Sequence, residues 1–185
     1  MTFQKRSFLV IAAIAAISSA SFASTITTLA TPVLPVAPLA TVFDGSTTNT
    51  FAATDGLFSG SETSTVYTGD TNNPLGGLTF VYSVSNDISS ADAFDRVTLS
   101  GFAGFNVAAG YITGAGNVPL DVTVNTDGTI GFDFAGILGD NSINPGQSSV
   151  DLVIRTDAPF DTANTISIID GGTRSEERRV GKECR

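Results

Sequence analysis

The residues that could perform acid–base chemistry in this sequence are almost all carboxylates. The chain contains no histidine, and its only cysteine, Cys184, lies in a charged C-terminal tail. Residues 24–173 also contain no lysine. That region therefore lacks the usual general base, Schiff-base amine and thiolate nucleophile, and the imidazole and thiolate ligands of typical zinc, copper and haem sites.

Two carboxylates that flank a sugar bond would be enough for a glycosidase. The candidates are Glu62, Asp133 and Asp151, although their spacing in sequence does not determine their separation in space. Most of the aspartates stand beside Gly or Asn in turn-like sequences, where closing the turn is a sufficient role. The absence of Trp weakens a sugar-stacking site. We therefore predict that the protein is not an enzyme and assign no catalytic residue.

A calcium site is the second possibility that the carboxylates raise. Asp140 opens a loop, and Asp151 falls at the twelfth position counted from it, as in an EF-hand. The match is loose, because Ser142 occupies the third position and Pro145 replaces the required glycine. A Pro-Gly turn capped by Asn and Asp explains the same residues. We assign no metal ligand and no cofactor, and keep calcium as a secondary hypothesis.

Arg96 and Arg155 are the only cations in residues 24–173. Asp151 shares a strand face with Arg155 but lies about 13 Å away along a regular strand. We therefore expect each arginine to pair with a carboxylate on a neighbouring strand. Anion capture by these arginines is the alternative.

Strand patterns surround these residues. A Pro-Gly turn leads into a run in which Val150, Leu152 and Ile154 share one face, and we predict that these three form the centre of the core. Leu78–Ser85 is the second strong strand, with its alternate apolar residues on one face. Asp44-Gly45 is expected to end the first strand. The other predicted strands cover residues 40–43, 51–54, 57–68, 96–102, 105–112, 120–124, 130–134 and 166–169.

About nine or ten short strands without a long helix indicate an all-β fold. Asp127-Gly128 between two of the runs predicts a tight hairpin. Alternating strands with one polar face are typical of antiparallel sheets packed face to face. We therefore predict an antiparallel β-sandwich or jelly-roll-like domain over residues 41–173, preceded by an extended, proline-containing lead-in over residues 24–40.

The N-terminus has the features of an export signal. Lys5 and Arg6 form a short basic region, and residues 8–17 are an apolar run followed by a small-x-small cleavage site. We expect residues 1–23 to be the signal peptide, with cleavage after Ala20 as the alternative to cleavage after Ala23. The apolar run is too short for a membrane anchor, which needs about 20 residues.

Residues 174–185 differ from the rest of the chain because they are dense in charge. All twelve residues fit the translation of a common sequencing-library adapter, which this segment resembles. We interpret it as a non-native tail and expect the natural gene to continue past Thr173; a natural charged tail is the alternative.

Without this tail and the two basic residues of the signal, fifteen carboxylates face two cations, a net charge of −13. Such a surface repels nucleic acid and anionic lipid, and we exclude nucleic acid as a partner.

The order of several motifs resembles the ectodomains of exported bacterial proteins that carry a PEP-CTERM sorting signal. The resemblance spans about residues 57–172 and includes no catalytic motif. It implies processing by signal peptidase and a membrane exosortase, and display outside a bacterial cell. The Pro-Glu-Pro motif, apolar helix and basic cluster of such signals are not in this sequence; the adapter-like tail begins about where they would start. The motifs are Ser64-Thr-Val-Tyr67, Leu78-Thr-Phe-Val-Tyr-Ser-Val-Ser-Asn86, Val97-Thr-Leu-Ser-Gly-Phe102, Ile130-Gly-Phe-Asp-Phe134, Gly146-Gln-Ser-Ser-Val-Asp-Leu-Val-Ile-Arg-Thr-Asp157 and Ile166-Ser-Ile-Ile-Asp-Gly-Gly172.

These features together predict a secreted or surface-displayed structural protein of the extracellular matrix with no catalytic activity. The alternative is a carbohydrate- or calcium-binding β-sandwich module, and a carboxylate glycosidase is a distant third. The expected partners are extracellular polysaccharide or other surface proteins.

Overall fold

A computed structural model describes residues 25–38, 40–136, 139–170 and 175–184 of the chain. The expected signal peptide, residues 1–23, lies outside the described residues. The described part consists of strands, turns and bends, and it contains no helix that is long and apolar enough to cross a membrane. All pairings between its strands are antiparallel. The prediction of an all-β, antiparallel fold is confirmed.

Thirteen strands occur among the described residues. They are β1 (Thr25–Leu29), β2 (Thr41–Ala52), β3 (Ser59–Thr68), β4 (Thr79–Asn86), β5 (Arg96–Leu99), β6 (Val107–Tyr111), β7 (Asp121–Asn125), β8 (Ile130–Asp133), β9 (Ala135–Gly136), β10 (Gly139–Asp140), β11 (Leu152–Thr156), β12 (Asp161–Ile169) and β13 (Ser175–Cys184).

Two large sheets contain eleven of these strands, as expected for a β-sandwich. The order in sheet A is β1-β7-β8-β5-β12-β13, and the order in sheet B is β2-β3-β4-β11-β6. The short strands β9 and β10 pair only with each other. The predicted hairpin at Asp127-Gly128 joins β7 to β8, and Gly128 adopts the positive φ of 81° that this turn requires.

Side chains alternate between the two faces of each strand, and the inward-facing apolar ones form the core between the sheets. On β4, Phe80, Tyr82 and Val84 are completely buried, and on β11 the same is true of Leu152 and Ile154. These residues are adjacent in register, with Leu152 opposite Tyr82 and Ile154 opposite Phe80. Since Val150 is only 1% exposed, the predicted centre of the core is confirmed.

Aromatic side chains close one part of this core. The rings of Phe51, Phe58 and Phe94 meet pairwise with centroid separations of 6.0–6.3 Å. They come from the end of β2, the turn before β3 and the connection before β5. Contacts of this geometry add about 0.5–1.5 kcal/mol each beyond area burial, so they attach the loops to the sandwich.

The prediction for the first strand is wrong. Asp44-Gly45 does not end a strand; β2 runs continuously from Thr41 to Ala52. The pairing of β2 with β3 shifts register between Val42 and Asp44 and again between Asp44 and Thr47. Bulges of this kind accommodate extra residues without breaking the ladder. A turn-forming dipeptide can therefore lie inside an edge strand.

The proline-containing lead-in crosses from one sheet to the other. β1 pairs with β7 at the edge of sheet A. Residues 31–38, which we call the strap, continue to sheet B, where the Val33 N–H donates to the Tyr111 carbonyl over 2.8 Å. The strap covers β6 closely, because a Cβ atom at Gly110 would lie 2.6 Å from Val33 Cγ1.

The strap explains why β11 is buried on both faces. Val153 and Arg155 point away from the core, yet they are only 1% and 4% exposed. Val153 lies opposite Gly110, next to the strap, and the Arg155 guanidinium donates directly to strap carbonyls. A strand that the alternating pattern predicts to be half exposed is thus a fully covered central strand.

Residues 175–184, within the adapter-like tail, run antiparallel to β12 at the edge of sheet A. The edge of a sheet presents unpaired backbone groups to any neighbouring extended chain. Because the ladder uses backbone atoms, this pairing is compatible with a sequence of foreign origin.

We expect Leu152→Ala to destabilise the protein by about 2–5 kcal/mol, because it leaves a cavity between the sheets. Chemical denaturation monitored by tyrosine fluorescence or circular dichroism measures the change. Ile88→Ala is the control, since Ile88 is 87% exposed and surface changes usually stay within about 0.5 kcal/mol. Equal effects of the two substitutions would contradict the assignment of the core.

Candidate functional sites

Arg155 and Asp70 form a buried ion pair among the residues that the structure describes. Arg155 Nε lies 2.9 Å from Asp70 Oδ2, and the two side chains are 5% and 0% exposed. As expected, Asp151 is not the partner. For Arg155, the prediction of a partner carboxylate on a neighbouring strand is wrong, because Asp70 lies in the turn after β3. The strand residue opposite Arg155 is Thr79, whose hydroxyl donates to Asp70 Oδ2 over 2.9 Å.

This ion pair holds the strap through backbone atoms. The Ala37 N–H donates to Asp70 Oδ1 over 2.9 Å. Arg155 Nη2 donates to the carbonyls of Leu34 and Pro35 over 2.7 and 3.3 Å. The Asn72 amide also donates to the Pro35 carbonyl, over 2.9 Å. We call the four side chains that form this arrangement the strap socket: Asp70, Asn72, Thr79 and Arg155.

The strap socket stabilises the charged form of Asp70. Burial by itself would raise the pKa of this carboxyl. Hydrogen bonds to the carboxylate outweigh that effect and hold the pKa below the ordinary value of 3.8; the donors are Ala37 N–H, Arg155, Thr79 and Asn72 N–H. The lowered pKa means that the pair stabilises the fold above pH 3.8 and that this contribution is lost as the pH falls through the lowered value.

The second arginine pairs as predicted. Arg96 on β5 lies opposite Asp133 on β8, with Arg96 Nη1 2.5 Å from Asp133 Oδ2. The guanidinium lies across Gly131, where a Cβ atom would come within 2.0 Å of it. Asp95 and Asp170 line the same depression as Arg96 and Asp133. Three carboxylates around one guanidinium disfavour the capture of an anion.

The structure does not bring the three candidate glycosidase carboxylates together. Glu62 is buried on the inner face of sheet B. Asp133 lies on sheet A and is paired with Arg96, while its strand neighbour Phe132 points into the core. Asp151 is exposed just before β11 in sheet B. A glycosidase needs two carboxyl groups about 5–9.5 Å apart across one cleft, and the described residues place these three on different faces.

Glu62 is unusual because it is a buried carboxyl with little support. Asn49 Nδ2 donates to its Oε2 over 3.2 Å, and within the described ranges Glu62 Oε1 and the nearby Ser64 Oγ have no hydrogen-bond partner. Burial raises the pKa of Glu62, and the Asn49 hydrogen bond together with the nearby Ser64 hydroxyl, which is too poorly placed for a regular hydrogen bond, opposes this rise only in part. The charged form therefore costs stability at neutral pH.

In the loop that was considered for calcium, the Asp140 carboxylate closes the turn by accepting hydrogen bonds from Ser142. The Ser142 N–H donates to Asp140 Oδ1 over 3.0 Å, and the Ser142 hydroxyl donates to the same oxygen. These hydrogen bonds hold the pKa of Asp140 below its ordinary value. The Asn144 N–H donates to Gln147 Oε1. No group of three or more potential metal-ligating side chains occurs among the described residues, and calcium binding stays a prediction.

Sequence reasoning missed an ordered face of uncharged hydroxyls on the outer side of β2, β3 and β4. We call it the hydroxyl face. Its cross-strand hydroxyls hydrogen-bond in three places, over 2.7, 2.8 and 2.9 Å. Neighbouring strands are about 4.8 Å apart and alternate residues about 6.8 Å apart, so the hydroxyls form a two-dimensional array. The members are Ser46, Thr48, Thr50, Ser61, Thr63, Thr65, Ser83 and Ser85.

The alternation of Ser and Thr with inward-facing residues produces this face. On β3, Ser61, Thr63 and Thr65 are half-buried on the outside, while Gly60 and Val66 face inward and are buried. The signal was present in the Ser/Thr-rich segment 57–68. Whether these hydroxyls form one continuous face depends on which strands lie beside β3. The sequence pattern of a strand does not specify its neighbours.

An apolar cleft lies at one end of the sandwich. Its volume is about 360 Å³. Phe102, Phe105 and Ile130 line it together with Asn106 and other residues of the nearby turns. Asn106 is held in place by Asp157, which accepts from its N–H and its side-chain amide over 3.0 and 2.6 Å. The side chains that line the cleft are uncharged.

No protein-family model, curated protein or solved structure matches this chain. Function must therefore be inferred from the arrangement of its own residues.

We expect Arg155→Met to destabilise the protein by about 3–5 kcal/mol, because Asp70 would be left as a buried charge without its partner. Denaturant titration at pH 7 measures this loss. Combining Arg155→Met with Asp70→Asn removes the uncompensated charge and should recover part of the lost stability. If the double variant is less stable than Arg155→Met alone, the ion pair is not the source of the effect.

We expect Glu62→Gln to stabilise the protein at pH 7, because an amide replaces a carboxyl that is costly to ionise where it is buried. Because the pKa of Glu62 is raised, its contribution to the stability of the wild-type protein is most favourable below pH 4.5. This contribution is lost as the pH rises through the raised pKa. The gain should therefore disappear near pH 4. Thermal melts of both proteins at the two pH values test this, and a gain of equal size at both would contradict it.

Proposed function

We propose that this protein is an exported, non-catalytic module of the bacterial extracellular matrix or cell surface, and that its hydroxyl face contacts neutral polysaccharide. The observation that carries the proposal is the regular, uncharged array of hydroxyls on β2, β3 and β4.

Hydroxyl groups suit a neutral polysaccharide because each can donate one hydrogen bond and accept two. In the pair Thr48–Thr63, whose oxygens are 2.9 Å apart, one proton is used between the partners. The other proton and the remaining lone pairs are free to meet sugar hydroxyls or bridging waters. The rows of hydroxyls let an extended polymer make the same contact repeatedly, so that weak contacts add up.

The charge distribution supports the same class of ligand. The region between the expected signal and the adapter-like tail carries −13, which disfavours polyanions. The eight residues of the hydroxyl face are all uncharged. A neutral polymer can approach such a face without desolvating an ion.

The expected export signal and the resemblance to PEP-CTERM ectodomains support a contact outside the cell. In that setting, signal peptidase and an exosortase would process the chain. A structural role agrees with most of the carboxylates considered above, since Asp140 closes a turn, Asp133 pairs with an arginine and Glu62 lies buried.

Co-sedimentation with an insoluble neutral polysaccharide, such as cellulose, tests the proposal. We expect the wild-type protein to bind and Thr48→Val/Thr63→Val to bind about tenfold more weakly, since each 1.4 kcal/mol of lost contact is a factor of ten. Valine keeps the β-branched shape and removes only the hydroxyls.

The matched control is Thr27→Val/Thr123→Val. Thr27 and Thr123 form the same kind of cross-strand hydroxyl pair, 3.2 Å apart, on sheet A. The control should bind like the wild type. Equal losses in both double variants, or no binding by the wild-type protein to any neutral polysaccharide in a panel, would refute the assignment of the hydroxyl face.

A further inference from the structure

We propose that the apolar cleft at one end of the sandwich is a binding site for a small, uncharged aromatic molecule that carries one neutral polar group, such as a hydroxyl. The cleft is separate from the hydroxyl face, because it lies between the sheets and the hydroxyl face is the outer surface of sheet B. The proposal therefore does not depend on polysaccharide binding.

The cleft opens between the inner faces of the two sheets. Val107 on β6 belongs to sheet B, whereas Val124 on β7 and Ile130 on β8 belong to sheet A, and all three line the cleft. Val107 and Val124 are partly buried and pack against the core. At the floor, Ile130 is completely buried and Phe102 is 1% exposed. An apolar group that enters the cleft therefore contacts side chains of the core itself.

Hydrogen bonds between loops define the shape of the cleft. The Phe102 N–H donates to the Gly128 carbonyl over 3.1 Å, which joins the loop before β6 to the β7–β8 turn. The two loops touch closely, because a Cβ atom at Gly128 would lie 2.0 Å from the Ala103 nitrogen. At the start of β6, Asp157 accepts two hydrogen bonds from Asn106. A pocket whose walls are already joined by internal contacts loses little free energy in ordering them around a ligand.

The volume and the apolar lining of the cleft determine the size and the kind of ligand. A volume of about 360 Å³ lies at the lower end of the range of about 300–1,000 Å³ for ligand pockets in proteins, which suits a single ring with a short substituent. Phe102 and Phe105 both line the cleft. Pairs of aromatic rings interact more favourably than their buried area alone predicts. An aromatic ring is therefore favoured over an aliphatic group of the same size.

The charge of the lining selects against ions. The residues described as lining the cleft include no charged side chain, and placing an ion against an apolar floor without a counter-charge is costly. The nearest carboxylate that the loops present is Asp157, and both of its oxygens accept hydrogen bonds from Asn106. The ligand is therefore neutral.

Two uncharged side chains of the β7–β8 turn provide for the polar group of the ligand. Thr126 is exposed and lines the cleft, and a threonine hydroxyl can both donate and accept. Asn125 Nδ2 donates to Thr129 Oγ1 over 2.8 Å, a hydrogen bond that does not use the amide oxygen of Asn125. A ligand hydroxyl suits this pair, because it can donate to an amide oxygen and accept from a hydroxyl.

An NMR titration of the ¹⁵N-labelled wild-type protein tests the site. The probe is benzyl alcohol, which has one ring and one hydroxyl, and the matched anion is benzoate. We expect benzyl alcohol to bind with a Kd in the millimolar range, as its small size requires. The largest shifts should be those of the backbone amides of Gly104, Asn106 and Thr126. Benzoate should bind at least tenfold more weakly, because its carboxylate would be desolvated.

Variants with matched controls locate the binding. Val124→Phe places a larger side chain in the cleft and should weaken binding of benzyl alcohol about tenfold or more. Val42→Phe is its control, since Val42 is 55% exposed on β2. If Val124→Phe does not fold, Phe105→Ala removes one aromatic wall and should also weaken binding. Its control is Phe160→Ala, because Phe160 is 62% exposed and does not line the cleft.

Three results overturn the proposal. The first is a titration in which the amides of the lining residues show no saturable shift. The second is equal binding of benzoate and benzyl alcohol, because the cleft would then not select a neutral ligand. The third is a folded cleft variant that binds benzyl alcohol as well as its control does, since the alcohol would then occupy another surface.

Discussion

The buried ion pair between Asp70 and Arg155 is the interaction on which the arrangement of the N-terminal segment depends. Removing two charges from water is expensive, and their mutual attraction compensates only when the remaining donors and acceptors are also satisfied. Here the remaining groups are satisfied by Thr79 and by the backbone of the strap. The ion pair therefore needs the strap, which backbone hydrogen bonds with Tyr111 also hold against β6.

This mutual dependence explains several features of sheet B. β11 is covered on both faces because the strap lies across the side that an alternating strand usually exposes. Gly110 is required beneath the strap, since a side chain there would meet Val33. The remaining outer face, over β2, β3 and β4, is left open, and it carries the hydroxyl array. The strap thus divides one sheet surface into a covered half and an exposed half.

Some carboxylates have roles that follow from the local sequence, and others have roles that depend on the tertiary structure. Asp140 and Asp127 accept hydrogen bonds from residues two positions ahead, a role that their turn sequences already suggested. Asp133 faces Arg96 on the neighbouring strand, as the scarcity of cations led us to expect. Glu62 is different, because its alternation within β3 turns it inward, where burial raises its pKa. Nothing in the Ser/Thr-rich sequence around Glu62 distinguished an inward from an outward position.

Residue types and their alternation by themselves determined that this chain is an all-β protein, roughly where β3 to β8 and β11 lie, and that Val150, Leu152 and Ile154 lie in the core. Those features depend on side-chain periodicity and turn chemistry, which act over a few residues. Only the tertiary structure decided that Asp70 is the partner of Arg155, that Asp44-Gly45 lies within a strand and that eight hydroxyls share one face. Each of these depends on which strands become neighbours, and strand order is set by contacts between residues far apart in the sequence: Asp70 and Arg155 are 85 positions apart.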